Sequence, residues 1–296
     1  MILMISGRTD ICAFYSNWFL KRLEAGFVDV RNPFCKTLVS RVYFKDVDAF
    51  FFCTKNPSFI LPYIEKITKP ILFHITITPY KKDIEPYVCY KDRIVESVKS
   101  LSKIIGKENV FVRYDPIFMN EVYTLDYHIK AFHKLSTILK GYIQGFIVSF
   151  LDDYKNVQKN YHVLRPKIWE QKDYQKLGEA FSKIARLNEQ TVQTCAENED
   201  LVNYGFIKND CLSKKLACRL TGKSHFRKWK ARHKKSCNCV EVVDIGAYNT
   251  CSHFCKYCYA NFDEDKIIAN KKDHDENSTM LIGRVSANDK IVVRYK

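Results

Sequence analysis

Three cysteines near the carboxyl end of the chain are spaced like the ligands of a metal centre. Cys251, Cys255 and Cys258 lie in the stretch "NTCSHFCKYCYAN" and have the pattern C-x3-C-x2-C. A tight loop with this spacing can direct three thiolates to three corners of a [4Fe-4S] cluster, and the fourth iron then stays free for a small molecule. The spacing therefore predicts an iron–sulfur centre with one open coordination position.

A tetrahedral zinc ion is the alternative for these three thiols, with His253 or His233 as the fourth ligand. His253 lies between the first two cysteines, so it would have to fold back onto the ion that they bind. An open cluster explains the odd number of thiols better, and we expect iron and sulfide here rather than zinc.

Four further cysteines form a second candidate metal site. Two are close together in "SCNC" and two lie upstream in "TCAE" and "NDC": Cys195, Cys211, Cys237 and Cys239. Four thiolates can close around a second [4Fe-4S] cluster or a tetrahedral zinc ion. We favour an auxiliary iron–sulfur cluster, because the first site already requires iron–sulfur loading. The alternative is one strand residue, Cys195, and three free thiols.

A cationic segment precedes the cysteine loop, with no acidic residue between Asp210 and Glu241. The side chains expected to contact nucleic acid or another anion are Arg227, Lys228, Trp229, Lys230 and Arg232. Such cations can bind phosphates while an indole stacks on a base. The alternative is a solvated loop or a charged helix face. The net charge of +15, from 48 Lys and Arg against 33 Asp and Glu, also favours an anionic partner.

Length and composition favour an intracellular α/β protein. The 296 residues suffice for one large domain or two ordinary ones, and 46% of them are apolar. The amino terminus lacks the apolar stretch of a secretory signal, and no run is long enough to span a bilayer. We therefore expect a cytoplasmic protein without a membrane partner, where clustered cysteines indicate metal or redox chemistry more than disulfides.

Apolar runs of strand length alternate with helical patterns over most of the chain. The predicted strands cover residues 2–6, 49–54, 71–78, 110–114, 146–150, 191–195 and 240–246, and the predicted helices cover residues 93–105, 126–139 and 173–187. Most of these strands are apolar on both faces, as in a covered parallel sheet. The alternation predicts right-handed βαβ units in a parallel sheet or barrel.

Polar residues follow several of the predicted strands, at the edge where chemistry gathers in such folds. The candidates for cofactor or substrate contacts are Lys55, Asn56, Arg113, Asp115 and Glu197. Any single one of them is more often a loop cap or a turn former. We predict a barrel core over residues 1–205, a basic and cysteine-rich segment over 206–265 that completes the same domain, and a loosely attached polar tail over 266–296.

The cysteine loop resembles the cluster motif of the radical S-adenosylmethionine superfamily, including the aromatic Tyr257 before the last cysteine. The whole chain resembles the bacterial domain-of-unknown-function family 1848, in "SGRTDICAFYSNWF", "RNPF", "TKNP", "TPYKKDIEP", "RYDPI", "SFLDDY", "TCAE" and "DIGAYNTCSHFCKYCYAN". That family is described mainly by a carboxyl-terminal cysteine cluster like the one that radical enzymes carry near their amino terminus. Two departures are Cys12, where the family typically has Pro, and the absence of the superfamily's Gly-Gly-Glu-like stretch.

The resemblance implies a partial (β/α) barrel of the radical S-adenosylmethionine type, akin to a TIM barrel. Because the cysteine loop follows the last predicted strand, we hypothesise a circular permutation in which residues 240–246 pair beside residues 2–6. S-adenosylmethionine would bind the open iron, and Tyr257, Tyr259 and Asn261 would contact the cofactor. A flavodoxin or ferredoxin would supply electrons.

These observations predict an iron–sulfur enzyme that generates a 5′-deoxyadenosyl radical from S-adenosylmethionine. Its substrate would be DNA, RNA or another anionic molecule. The alternative is a non-catalytic nucleic-acid-binding protein whose iron–sulfur or zinc site is structural. A third reading is a radical-enzyme fold that has lost cleavage and senses redox state.

Overall fold

The computed structural model of the chain describes residues 1–228 and 237–295. Its strands are β1 (Ile2–Ile5), β2 (Phe27–Arg31), β3 (Leu38–Tyr43), β4 (Ala49–Thr54), β5 (Ile71–Thr76), β6 (Val110–Ile117), β7 (Gly145–Phe150), β8 (Thr191–Thr194), β9 (Val242–Asp244) and β10 (Lys290–Val293). Its α-helices are α1 (Ile11–Phe14), α2 (Ser16–Ala25), α3 (Lys91–Ile105), α4 (Leu125–Ile138), α5 (Lys155–Gln158), α6 (Tyr161–Leu164), α7 (Gln171–Leu187), α8 (Lys214–Thr221) and α9 (Glu264–Lys272). Short 3-10 helices cover Phe44–Asp46, Pro57–Phe59, Leu61–Lys66, Lys107–Asn109 and Val202–Tyr204.

The core of the fold is a seven-stranded sheet with the order β8-β7-β6-β5-β4-β1-β9. Every neighbouring pair in this sheet is parallel. Alternate residues of each strand point to opposite faces, so Leu3 and Ile2 belong to two different hydrophobic clusters. Helices pack on the face that carries Leu3, as the crossover connections of parallel strands require. The prediction of an α/β fold built on a parallel sheet is confirmed.

Each strand that we predicted from the sequence lies in this sheet, with bounds that differ by a few residues at most. The three predicted helices correspond to α3, α4 and α7. The hypothesised neighbour relation also holds, because β9 pairs with β1 in the register Ile2↔Val242 and Met4↔Asp244. The last strand of the sheet in sequence therefore lies beside the first.

The structure also contains a second, three-stranded sheet that we did not predict from the sequence. The hairpin of β2 and β3 is antiparallel, and β10 joins β3 in parallel. Arg41 on β3 forms a bidentate ion pair with the buried Asp29 on β2, at 2.8 Å for both contacts. This sheet includes part of the segment that we expected to be a loosely attached tail.

The carboxyl-terminal segment, residues 266–295, packs onto the domain instead of extending from it. The indole of Trp18 donates to the Ser278 carbonyl at 2.9 Å, and both Met280 and Leu281 are buried. The polar composition of this segment concealed the few apolar side chains that anchor it. None of the helices within the two described ranges combines the length and the hydropathy needed to cross a membrane.

The stack between α4 and α7 tests the packing of the helical face. Phe132 and Phe181 are fully buried, and their rings stack with centroids 3.8 Å apart. We expect Phe181→Ala to lower the free energy of unfolding by about 4 kcal/mol, because it leaves a cavity between the two helices. Leu187→Ala is the control on the same helix, since Leu187 is 67% exposed and its loss should cost at most about 0.5 kcal/mol. Chemical denaturation measures both, and similar losses would contradict this packing.

Candidate metal centre

The carboxylate of Asp244 joins the ends of β9 and β1, and the cysteine loop begins directly after this junction. Asp244 accepts hydrogen bonds from the Ser6 hydroxyl at 2.5 Å and from the Gly7 amide at 2.9 Å. It also accepts from the Gly246 amide at 2.8 Å. A Cβ at Gly246 would lie 1.9 Å from the Ser6 hydroxyl oxygen, so only glycine allows the segments after β1 and β9 to approach this closely. The loop that follows is therefore held at the carboxyl edge of the sheet.

The loop brings the thiols of Cys251, Cys255 and Cys258 close to one another. Burial raises the pKa of Cys251 well above its usual value, and the neighbouring Asp10, Cys258 and Cys255 raise it further. Burial likewise raises the pKa of Cys255 to about 12, although the nearby Lys55 opposes this shift. Without a metal these thiols stay protonated, whereas coordination would deprotonate them.

A hydrogen bond between Asp10 and His253 ties the middle of the loop to the segment after β1. His253 Nε2 lies 2.9 Å from the Asp10 carboxylate and donates to it. Asp10 also accepts from the Thr54 hydroxyl at 2.6 Å and from the Lys55 amide at 2.7 Å. One carboxylate therefore links the loop to the ends of both β1 and β4. The other ring nitrogen of His253, Nδ1, is buried and has no hydrogen-bond partner within the described residues.

A buried charge network around Glu85 supports the loop from the other side. Glu85 accepts from Lys55 Nζ at 2.7 Å and from the Thr78 hydroxyl at 2.6 Å, and it contacts Lys91 Nζ as well. The hydroxyl of Tyr257, inside the cysteine loop, donates to the same carboxylate. Burial alone would raise the pKa of Glu85, but Lys55 and Lys91 outweigh burial and hold it at about 2. Lys55 thereby points a fixed positive charge toward Cys255.

Side-chain amides hold the backbone of the loop from outside. Asn156 donates to the Cys258 carbonyl at 2.6 Å, and Asn160 donates to the Lys256 carbonyl at 2.7 Å. Within the loop, Asn261 donates to the Cys251 carbonyl at 2.6 Å. These bonds satisfy carbonyl groups that a tight loop cannot pair with its own amides.

The residues predicted to contact a cofactor do not form one group. Lys55, Tyr257 and Asn261 lie in or against the cysteine loop. Tyr259 is half exposed, and its hydroxyl donates to the Gly7 carbonyl. Asn56 caps the helix Pro57–Phe59 through its side-chain oxygen, which is a structural role.

The remaining predicted contacts lie farther along the sheet. Arg113 Nη2 binds Asp115 at 2.6 Å, and its other neighbours are Cys195 and Cys211, so this pair belongs with the second cysteine set. Glu197 is half buried just after β8. The thiols of Cys195, Cys211, Cys239 and Cys237 form a chain of side-chain contacts in that order.

Neither cysteine set already forms a cage for a single ion. Within residues 1–228 and 237–295, no three His, Cys, Asp or Glu side chains surround one point as a bound ion requires. A four-iron cluster is larger than an ion, so its thiolate ligands stand farther apart than those of zinc.

The predicted anion-contact residues are only partly visible. Arg227 and Lys228 are exposed, and Lys228 Nζ donates to the Asn238 side chain at 2.5 Å. Trp229, Lys230 and Arg232 lie outside the described residues, and so does His233.

Three residues that matter at the site were absent from the predicted contacts: Asp10, Glu85 and, as a partner of Asp10, His253. Asp10 was visible in the polar stretch "SGRTD" after the first strand, and Glu85 in "TPYKKDIEP" after the third. Both residues lie more than 150 positions before the cysteines, so the sequence did not predict that they would contact the cysteine loop.

Comparison with known proteins gives one finding. A family model described as "Domain of unknown function (DUF1848)" matches residues 2–260. No curated protein and no solved structure matched the chain.

The Glu85 network gives a direct test of this geometry. Glu85→Gln should lower the free energy of unfolding by about 3 kcal/mol, because it leaves two partly buried lysines without their counter-charge. Glu96→Gln is the matched control, since Glu96 is 71% exposed and pairs with Lys99 on the surface of α3. It should cost at most about 0.5 kcal/mol. Equal losses in denaturant unfolding would show that Glu85 is not the buried centre of this network.

Proposed function

Since the chain belongs to the domain-of-unknown-function family 1848, whose description names no activity, we propose a function from its site: a radical S-adenosylmethionine-type iron–sulfur enzyme. Cys251, Cys255 and Cys258 would hold its [4Fe-4S] cluster. The observation that carries this proposal is the convergence of these three thiols in one loop, at the carboxyl edge of a parallel sheet and beside a buried polar network.

The residues around the loop fit an open cluster with a polar ligand. Among the buried polar atoms without a hydrogen-bond partner within the described residues, three lie in the loop or in the segment after β1: Thr9 Oγ1, His253 Nδ1 and Asn261 Oδ1. Buried polar atoms are costly unless they are paired, so they favour a ligand with amino, carboxylate or hydroxyl groups. Lys55 supplies positive charge beside Cys255, which offsets the negative charge of coordinating thiolates.

When bound, such a cluster supplies the electron that cleaves S-adenosylmethionine to a 5′-deoxyadenosyl radical. The chain's own residues hold the cysteine loop and orient its polar neighbours. Asp10 and His253 fix the loop against β1 and β4, and Glu85 fixes Lys55 and Tyr257. Tyr80 and Tyr257 pack against each other and exclude water from the thiols on this side.

The fold proposed for this enzyme is a circularly permuted partial barrel. The pairing of β9 beside β1 supports it, because β9 then takes the place of the strand that usually precedes the cysteine loop. The short distance between the two edge strands, β8 and β9, also supports a curved sheet. A flat seven-stranded sheet would hold its edges about 29 Å apart. Thiol contacts instead link Cys195, directly after β8, to Cys239, three residues before β9.

An electron donor such as a flavodoxin or ferredoxin belongs to this proposal, because the chemistry consumes electrons one at a time. An anionic substrate remains part of it on the strength of the net charge of +15 and the exposed Arg227 and Lys228. The buried polar network favours an enzyme over a purely structural metal site, since a binding module has no use for orphaned polar atoms beside its thiols.

Cleavage of S-adenosylmethionine tests the proposal. Protein reconstituted anaerobically with iron and sulfide, then reduced with dithionite, should form 5′-deoxyadenosine, measured by chromatography. Cys255→Ser should reduce the product to background, because the cluster loses one of three ligands. Cys35→Ser is the control, since Cys35 is exposed between β2 and β3 and belongs to neither cysteine set. Product formation by wild type no greater than by Cys255→Ser would overturn the proposal and leave a non-catalytic metal site.

A further inference from the structure

We propose that Cys195, Cys211, Cys237 and Cys239 bind a single tetrahedral metal ion, zinc in the first place, at a site separate from the cysteine loop. All four side chains are buried, with exposed fractions between 3% and 6%. None of these four thiols forms a disulfide within the described residues, so a disulfide does not account for their grouping. The proposal does not depend on radical chemistry, because none of the four belongs to the Cys251 loop.

The four thiols come from three separate parts of the chain. Cys195 follows β8 directly, Cys211 lies before α8, and Cys237 and Cys239 lie before β9. Cys211 Sγ is 3.3 Å from Cys239 Sγ, and each of these two contacts a further cysteine of the set. Hydrogen bonds also join two of these parts, since the Val240 amide donates to the Leu212 carbonyl and the Asn238 amide to the Asp210 carboxylate, both at 3.0 Å. Thiols drawn from separate parts of a chain are typical of metal sites that contribute to folding.

This group lies on the sheet face opposite to the one that packs against the main helices. It packs with Ile2, Phe51 and Leu72, whereas Cys255 and Tyr257 pack with the cluster that includes Leu3. The two cysteine sets are therefore distinct sites.

A cation and a backbone amide lie beside the thiols. Arg113 lies within hydrogen-bonding reach of Cys195 and close to Cys211. The Leu212 amide donates to Cys239 Sγ at 3.4 Å. A divalent ion bound by four thiolates carries net negative charge, which is costly to bury unless it is offset. Arg113 and the amide provide that offset.

A second observation, independent of the thiols, points to the same place. His74 is fully buried on β5, and neither ring nitrogen has a hydrogen-bond partner in the part of the chain that the structure describes. Phe51 and Phe111 flank its ring at centroid distances of 4.6 and 5.4 Å. Cys211 and Arg113 are the charged groups within electrostatic reach of the ring. A metal-bound thiolate would accept the N–H that is otherwise unpaired, as outer partners of metal sites commonly require.

The spacing of the sulfurs favours one ion over a cluster. Four thiolates at about 2.3 Å from a tetrahedral zinc lie about 3.8 Å from one another. The four thiols do not yet surround one point, but the contact of 3.3 Å between Cys211 and Cys239 is close to this distance. A four-iron cluster would have to push the thiols much farther apart. The sequence favoured an auxiliary cluster, and the geometry favours zinc.

Such an ion would link the two edges of the seven-stranded sheet. β8 and β9 are its edge strands, and the site takes one ligand just after β8 and two just before β9. It would also fix the entry into β9, and thereby the position of the cysteine loop that follows.

The test uses the full chain with Cys251, Cys255 and Cys258 all changed to Ser, purified without added metal. We expect one zinc per chain by mass spectrometry of the metals and no acid-labile sulfide. Adding Cys239→Ser should remove the zinc. Adding Cys218→Ser instead should leave it, because Cys218 on α8 lies outside the group.

A second measurement does not depend on the folding of the Cys239 variant. X-ray absorption at the zinc edge of the triple variant should show four sulfur neighbours at about 2.3 Å. Three results would each overturn the proposal. They are a site that holds iron with sulfide, a zinc ion with nitrogen or oxygen neighbours in place of sulfur, and a chain without metal.

His74 can be tested as a positioning residue. His74→Phe should weaken zinc binding by about tenfold in competition with a chelator, since outer partners contribute that much to metal affinity. His133→Phe, an exposed site on α4, is the control and should change nothing. Unchanged affinity in His74→Phe would remove His74 from the site.

Discussion

The parallel pairing of β9 with β1, fixed by the carboxylate of Asp244, is the constraint on which the rest of the site depends. It joins residues 238 positions apart in sequence through the bond from Ser6 to Asp244. Because the cysteine loop starts immediately after this junction, its three thiols arrive at the carboxyl edge of the sheet, where the ends of β1, β4 and β5 present Asp10, Lys55 and Glu85. This pairing brings the loop within reach of these polar groups, which then hold it.

Two carboxylates then fix the orientation of the cysteine loop at this edge. Asp10 holds His253, and Glu85 holds Tyr257 and Lys55, so both sides of the loop are tied to the sheet. Burying such charges is costly unless each is paired, and here each carboxylate accepts several hydrogen bonds. The arrangement resembles that of a rigid binding site more than that of a solvated loop. A metal ion bound by the four thiols on the opposite face would add a second restraint, because it would anchor the chain just before β9.

The parallel sheet could be predicted from the sequence because its strands are covered on both faces and read as continuous apolar runs, such as "AFFFCT" in β4. The neighbour relation of β9 and β1 followed from the resemblance of the cysteine loop to one that normally follows a first strand. The small sheet was missed because β2 and β3 interrupt their apolar residues with Asp29 and Arg41, which pair only across the hairpin. Glu85 and Lys91 were missed because a charged residue in a sequence is usually exposed, and only the fold shows that Glu85 is buried with Lys91 partly buried against it.

The central claim is that three thiols hold a cluster with an open iron. Electron paramagnetic resonance of the reduced, anaerobically reconstituted protein, recorded before and after addition of S-adenosylmethionine, tests it most directly. We predict the signal of one reduced [4Fe-4S] cluster whose g values shift when S-adenosylmethionine is added, because the ligand binds the iron that lacks a thiolate. A cluster signal that S-adenosylmethionine leaves unchanged, or no cluster signal at all, would contradict the account.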